Sequence, residues 1–346
     1  MTNALYKEHT IEQAAVLLRS ITEEPDPITG KYDAVHLWGS PGLGKSSIVH
    51  QLGAATGRKV IEFHAALRDT VDLRGIPVSD PLTNTTRWLV PSELPQAERD
   101  GEEGYFFCDE LNQSSQQMQA VLGGLILEGK VGDYRLPGKW RVVAAGNHVA
   151  DRAAAQRMPT HLANRFSHIY VVRDVPAWAR WAVANDVAPE AVAFARFRPT
   201  LFDQVPKADE HAFLTFRSFT KAAKYVSAPR EVRQDLFGTH IGRDNAGEFE
   251  GFIRLYQSLG SLDDIIRDPA NATVPTDPSE RYAVCTGLAR LATRKNWSKI
   301  IEYAERLTGE PRRLLIHDAT IRDPKLKETA AYSKWAVADQ GAVLQS

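Results

Sequence analysis

Between an apolar hexamer, "DAVHLW", and an amphipathic stretch, "KSSIVHQLGAAT", the chain carries "GSPGLGKS", residues 39 to 46. No other segment constrains the fold so tightly. The spacing G-x-x-x-x-G-K-[ST] after a strand and before a helix is that of a loop whose backbone N–H groups wrap a phosphate. Its glycines free the backbone to turn, and the helix N-terminus adds positive potential. Lys45 can reach the outer phosphates of a nucleoside triphosphate, and the Ser46 hydroxyl can ligate Mg²⁺. Gly39, Ser40, Pro41, Gly42, Leu43, Gly44, Lys45, Ser46 and Ser47 are the expected nucleotide-binding residues. "KVIEFH" follows as a second strand, so residues 34 to 64 form a β-α-β unit, whose right-handed crossover implies a parallel sheet.

Upstream, Thr10 is placed to cap a helix with Ile11, Ala14, Ala15, Leu18 and Ile21 on one face, ended by "EEPDPITGKY". Downstream, the irregular stretch from Ala65 to Pro95 suits an inserted hairpin. Then come a buried strand ("EGYFFCDEL"), a helix ("SQQMQAVLGGLILEG"), a second hairpin ("KVGDYRLPGKW") and another strand ("RVVAAGN"). Strands alternating with helices predict an α/β core over residues 1 to 173. Beyond Asp174 the pattern turns helical, in "AWARWAVAND", "SFTKAAKYV", "EFEGFIRLYQSL" and "SERYAVCTGLARLATR". A softer break in "RDPANATVPTDPSE" divides this part into a helical lid, 174 to 270, and a helical extension, 271 to 346.

Three further positions complete a site for phosphate chemistry. Asp109 and Glu110 end an apolar strand, where an α/β sheet places ligand chemistry. Asp109 is expected to hold the Mg²⁺ shell and Glu110 to orient and deprotonate an attacking water, a pairing that favours hydrolysis over transfer to a small substrate. Asn147, at the end of "RVVAAGN", offers an amide to that water or to the γ phosphate without competing for its proton. Arg165, in "HLANRF", has the guanidinium that matches the spread charge of a transferring phosphoryl group, with Arg152 and Arg157 as rivals. Arg217, in "LTFRSFTKAAKYV", is placed to bring the helical part down onto the phosphates.

The order of these residues resembles an AAA+ ATPase, and within that superfamily the MoxR-like, dynein-related branch. "GSPGLGKS" is similar to Walker A, "YFFCDELNQSSQQMQ" to Walker B, "AAGN" to sensor 1 and "LANRF" to an arginine-finger motif, together covering about residues 34 to 172. "DLRGIP…RWLVPSEL" resembles the helix-2 insert of this branch and "KVGDYRLPGKW" its presensor-1 hairpin, while Arg217 takes the place of sensor 2. The resemblance implies a P-loop NTPase core with a helical lid and an ATP- and Mg-dependent homo-oligomer, a hexameric ring, with nucleotide at each subunit interface. It further implies a protein client, with a von Willebrand A domain as one partner type. Trp88 and Tyr134 of the two hairpins are expected either to touch that client or to pin their own hairpins.

Other classes are weaker. Lys plus Arg (42) balances Asp plus Glu (43), which gives no global attraction to nucleic acid or anionic membrane. The base-and-aromatic runs "RKNWSKIIEYAERL" and "FRSFTKAAKYV" keep a nucleic-acid motor as the alternative. No HExxH occurs among the ten histidines, and His161 with His168 are as readily explained by loop hydrogen bonds. Cys108 and Cys285 are far apart with no CxxC, as in a reducing compartment, and no run approaches the roughly 18 apolar residues of a membrane span. A cytoplasmic protein is expected.

Overall fold

The computed structural model describes residues 6–147, 158–204 and 210–343. The chain divides into two compact units, Met1–Arg173 and Asp174–Ser346.

In the first unit the elements run β1 (Glu8–His9), α1 (Ile11–Glu23), β2 (Ala34–Trp38), α2 (Lys45–Thr56), β3 (Lys59–His64), α3 (Val71–Arg74), β4 (Ile76–Asp80) and β5 (Thr85–Leu89). They continue as α4 (Ala97–Asp100), β6 (Glu103–Asp109), α5 (Gln116–Glu128), β7 (Lys130–Val131), β8 (Tyr134–Arg135), β9 (Lys139–Gly146), α6 (Thr160–Ala163) and β10 (Phe166–Val171). Six strands form one parallel sheet in the order β1-β10-β2-β9-β6-β3. Its central strands are apolar on both faces, as a sheet covered on both sides requires. Ala34, Phe63, Phe106, Cys108, Val142, Ala144 and Phe166 pack on Met118, Leu122 and Leu125 of α5. The alternate residues Val35, Leu37, Phe107 and Val143 are fully buried on the other face, where α1 and α2 pack.

Local chemistry sets the ends of these elements. Thr10 caps α1 through a reciprocal pair, its hydroxyl accepting from Gln13 N (3.3 Å) while Gln13 Oε1 accepts from Thr10 N (3.1 Å), a motif that stabilises a helix by about 1 kcal/mol. Gly57 ends α2 in the left-handed region, at φ +67°. Both expected hairpins form, β4 with β5 and β7 with β8. They touch: Trp88 N donates to Asp133 Oδ2 at 2.7 Å, and the Trp88 ring lies beside Gly132. Tyr134 is buried and its hydroxyl donates to Pro95 O at 2.7 Å, so this ring pins its own hairpin. The edge strand β1, absent from the sequence reading, pairs Glu8 with Tyr170 and His9 with Val171.

The second unit is helical: α7 (Val175–Ala184), α8 (Pro189–Phe197), α9 (Phe216–Ala222), α10 (Arg230–Ile241), α11 (Arg243–Ser258), α12 (Leu262–Arg267), α13 (Pro278–Leu291), α14 (Trp297–Glu305), α15 (Glu310–Arg322) and α16 (Ala330–Val343). One apolar cluster centres on Phe194, Phe219 and Phe249, another on Trp297, Tyr303 and Leu315. Helix α13 serves both, with Ala283 in the first and Val284, Cys285 and Leu288 in the second. Trp297, Tyr303 and Phe219 lie inside these clusters, which withdraws them from stacking on nucleic-acid bases. Both cysteines are free and buried, and burial pushes the Cys285 thiol up to about 12. Among the described residues no helix is long and apolar enough to cross a membrane.

Candidate nucleotide site

Strand order decides which residues meet. Strand β9 lies between β2 and β6, so the chain leaving β9 at Asn147 stands between the loop after β2 and the carboxylates that end β6. All three strands are parallel, and all three exits open on one edge of the sheet.

The loop from Gly39 to Gly44 takes a shape that only glycine adopts cheaply at two points, with φ +78° at Gly42 and +89° at Gly44. Gly39 is fixed by crowding instead, since a Cβ there would lie 2.7 Å from Val171 O. Gly44 is the N-cap of α2 and brings no side-chain acceptor to the helix's first N–H groups. Those donors and the helix dipole therefore face whatever anion the loop holds. Lys45 is only 8% exposed. Its Nζ donates to Gly39 O at 2.6 Å, Ser40 O at 3.1 Å and Asn147 Oδ1 at 2.9 Å, so the ammonium bridges the loop and the end of β9.

Ser46 Oγ donates to Asp109 Oδ2 at 2.8 Å, and Asp109 Oδ1 accepts from Glu110 N at 2.9 Å. A hydroxyl and a carboxylate at this separation form the oxygen donor pair that Mg²⁺ takes from a protein, keeping its other positions for water and phosphate. Glu110 itself is in the left-handed region, φ +55° and ψ +33°, which a residue with a Cβ adopts at a cost of about 1–3 kcal/mol. Chain reversal at this residue starts the turn Leu111–Gln113 immediately beyond Asp109.

Asn112, which the sequence reading passed over, is fully buried against Asn147. Its Nδ2 donates to Asn147 O at 2.8 Å and its Oδ1 accepts from Asn147 N at 3.2 Å. This two-point grip fixes the main chain that carries the Asn147 amide. Gly146 makes the grip possible: a Cβ there would lie 2.9 Å from both Asn112 Cγ and His36 Cε1. In sequence, Asn112 is one polar residue in the turn "DELNQSS", with no spacing to single it out.

Arg165 is not part of this group. It directly precedes β10, whose first residue Phe166 pairs with Ala34 and whose Tyr170 pairs with Trp38. The arginine therefore stands at the opening edge of the sheet and the phosphate loop at the closing edge, about 17 Å away along a five-residue strand. Its Nη1 donates weakly to Gly123 O of α5 at 3.4 Å. Arg152 and Arg157 lie outside the described residues. Arg217 is exposed in the first turn of α9, in the second unit. His161 is exposed, while His168 accepts from Trp38 Nε1 at Nδ1 and donates from Nε2 to Ala163 O, each at 2.8 Å. His168 lies in a strand rather than a loop, and its bonds tie β10 to β2 and α6.

No family model matches the chain. Among solved structures the chain is similar to NtrX from Brucella abortus, at 12% identity and a TM-score of 0.36, over 92% of this chain and 69% of that one.

Proposed function

We propose that the protein is a Mg-dependent AAA+ ATPase of the MoxR-like kind, a cytoplasmic oligomeric motor that couples ATP hydrolysis to remodelling of a protein client. The observation that carries this reading is the convergence of Lys45, Ser46, Asp109 and Asn147 at one sheet edge while Arg165 stands at the other.

In this mechanism the loop N–H groups and Lys45 hold the β and γ phosphates of ATP, Lys45 exchanging its carbonyl partners for phosphate oxygens. Ser46 and Asp109 would hold Mg²⁺, which when bound would supply neutralising charge to the phosphates. Glu110 takes the proton of the attacking water, and Asn147, steadied by Asn112, aligns that water with the γ phosphorus. Arg165 acts on a neighbouring subunit's triphosphate, since its own lies a strand's length away. Ring closure is the arrangement that gives every pocket such a neighbour. Loss of the γ phosphate then loosens each interface, and the resulting movement is delivered to the client.

Phosphate release measured across protein concentration tests the reading. Specific activity should rise with concentration as subunits assemble. Equal rates in a dilute sample shown to be monomeric and in a concentrated one would overturn it.

A further inference from the structure

The edge of the sheet that holds the phosphate loop also gathers a second set of donors. Glu62 and His64 alternate along β3 and share a face, and His64 pairs in register with Asp109 of β6. One ligand atom from each of Glu62, His64 and Asp109 lies within 4.8 Å of the others. His64 Nε2 is 3.6 Å from Glu62 Oε1, and His50 of α2 meets Glu62 Oε2 at 3.1 Å through Nε2. Glu62 is thus aimed by one imidazole toward the other. Glu62 is paired with the two imidazoles, while Asp109 accepts from Ser46 Oγ and Glu110 N. Glu62 and Asp109 thus bring two carboxylates to the same edge as the His64 imidazole.

We propose that Glu62, His64 and Asp109 form a binding site for a divalent transition-metal ion, with zinc as its occupant, and that filling it silences the nucleotide pocket by drawing Asp109 away from Ser46. One imidazole and two carboxylates, with water in the fourth position, suit zinc, whereas magnesium prefers an all-oxygen shell. Tetrahedral ligands about 2.1 Å from zinc lie about 3.4 Å apart, close to the 3.6 Å that separates His64 Nε2 from Glu62 Oε1. His50 serves as the outer partner that orients Glu62. Asp109 belongs to both sites, since its Oδ2 now accepts from Ser46. Zinc and the Mg-loaded pocket accordingly exclude one another. The site itself stands apart from the functional reading; the silencing rests on it.

Calorimetric titration of the full-length, nucleotide-free chain with zinc chloride tests the site. One zinc ion per chain is expected, with affinity lowered at least about tenfold in Glu62→Gln and in His64→Ala, and about tenfold in His50→Gln. Circular dichroism identifies any variant that fails to fold, and the others then carry the test. Absence of zinc binding, or wild-type affinity in both Glu62→Gln and His64→Ala, overturns the site. For the silencing, zinc should slow phosphate release by the wild-type chain, excess magnesium should restore it, and His64→Ala should resist zinc when scaled to its own zinc-free rate. Zinc uptake that leaves the rate unchanged overturns the silencing. A chain that binds zinc but neither binds nor hydrolyses ATP overturns both the reading of the pocket and the silencing, and the metal site stands.

Discussion

The side-chain amide of Asn112 closes on the peptide groups of Asn147 through bonds of 2.8 and 3.2 Å, and both residues are buried. Asn147 in turn accepts from Lys45, so a residue to which the sequence assigns no role sets the height of the amide above the phosphate loop. Replacing Asn112 by Leu leaves a buried N–H and C=O of Asn147 unpaired, at about 1–3 kcal/mol each. Asn112→Leu is expected to lower the urea midpoint of unfolding. It should also lower kcat more than it raises KM for ATP, because the displaced amide aligns water rather than holding nucleotide. Unchanged kcat in a folded Asn112→Leu chain would remove the positioning role.

Lys45 makes the complementary case. Its ammonium bridges the phosphate loop and the end of β9, and Lys45→Ala is expected to abolish nucleotide binding. Titration with a fluorescent ATP analogue in the presence of Mg²⁺ measures this directly. Retained affinity within a few fold of wild type would place the phosphates elsewhere.

Glu110 combines a left-handed backbone with the proposed role of base, which separates stability from activity. Glycine at this position relieves the conformational strain, worth about 1 kcal/mol, while Gln keeps the strain and removes only the carboxylate. Glu110→Gly should therefore melt at a higher temperature than Glu110→Gln, with both unable to turn over ATP. Calorimetric melting of the pair, alongside phosphate release, checks both halves.

These relationships mark where sequence reading succeeds and where it stops. The phosphate loop, the Thr10 cap, the Gly57 helix end and both hairpins depend on neighbours in sequence, and their residues announce them. Asn112, Glu62 and His64 acquire meaning only when β9 and β3 take their places on either side of β6, a pairing between segments tens of residues apart. The position of Arg165 shows the same division. Its motif resembles a finger, but that it stands at the far edge from its own phosphate loop follows from the parallel register of β10 and β2. The sequence leaves Tyr134 open to a client contact or to pinning its own hairpin, and its burial and bond to Pro95 O make it a strut, because a tyrosine pattern does not record what lies beneath it.

Asp100 gives the fold a pH dependence outside the site. Its carboxylate accepts from the Arg99 guanidinium, from Lys59 Nζ at 2.6 Å and from Gln96 N at 2.9 Å, with the side chain 1% exposed. The Arg99 bond, then those of Lys59 and Gln96, hold its pKa well below the usual carboxylate range against the opposing effect of burial. A depressed folded-state pKa contributes stability that is present above the unfolded value, about 3.9, and is lost as pH falls toward the folded value. Asp100→Asn should be less stable than wild type at neutral pH by about 1–3 kcal/mol, the worth of charged hydrogen bonds. The gap between the two should narrow below about pH 4. Denaturant midpoints at a series of pH values supply the comparison; a gap that holds constant down to the acid transition would assign the effect to packing.

Arg165 supplies the sharpest test of the assembly, because its placement predicts a defect that another subunit can repair. Arg165→Ala should bind nucleotide with wild-type affinity and lose about 10³ or more in turnover, the range for removing an arginine finger. Lys45→Ala should be inactive for the opposite reason, having an intact arginine and an empty pocket. In a mixture of the two, some interfaces join an intact pocket on an Arg165→Ala subunit to the intact arginine of a Lys45→Ala subunit. Phosphate release should then reappear in the mixture although neither variant alone produces it. A mixture as inactive as its components, with co-assembly confirmed by differently tagged chains, would mean that each pocket uses an arginine of its own chain. The most direct candidates would then be Arg152 and Arg157, which follow β9 in sequence.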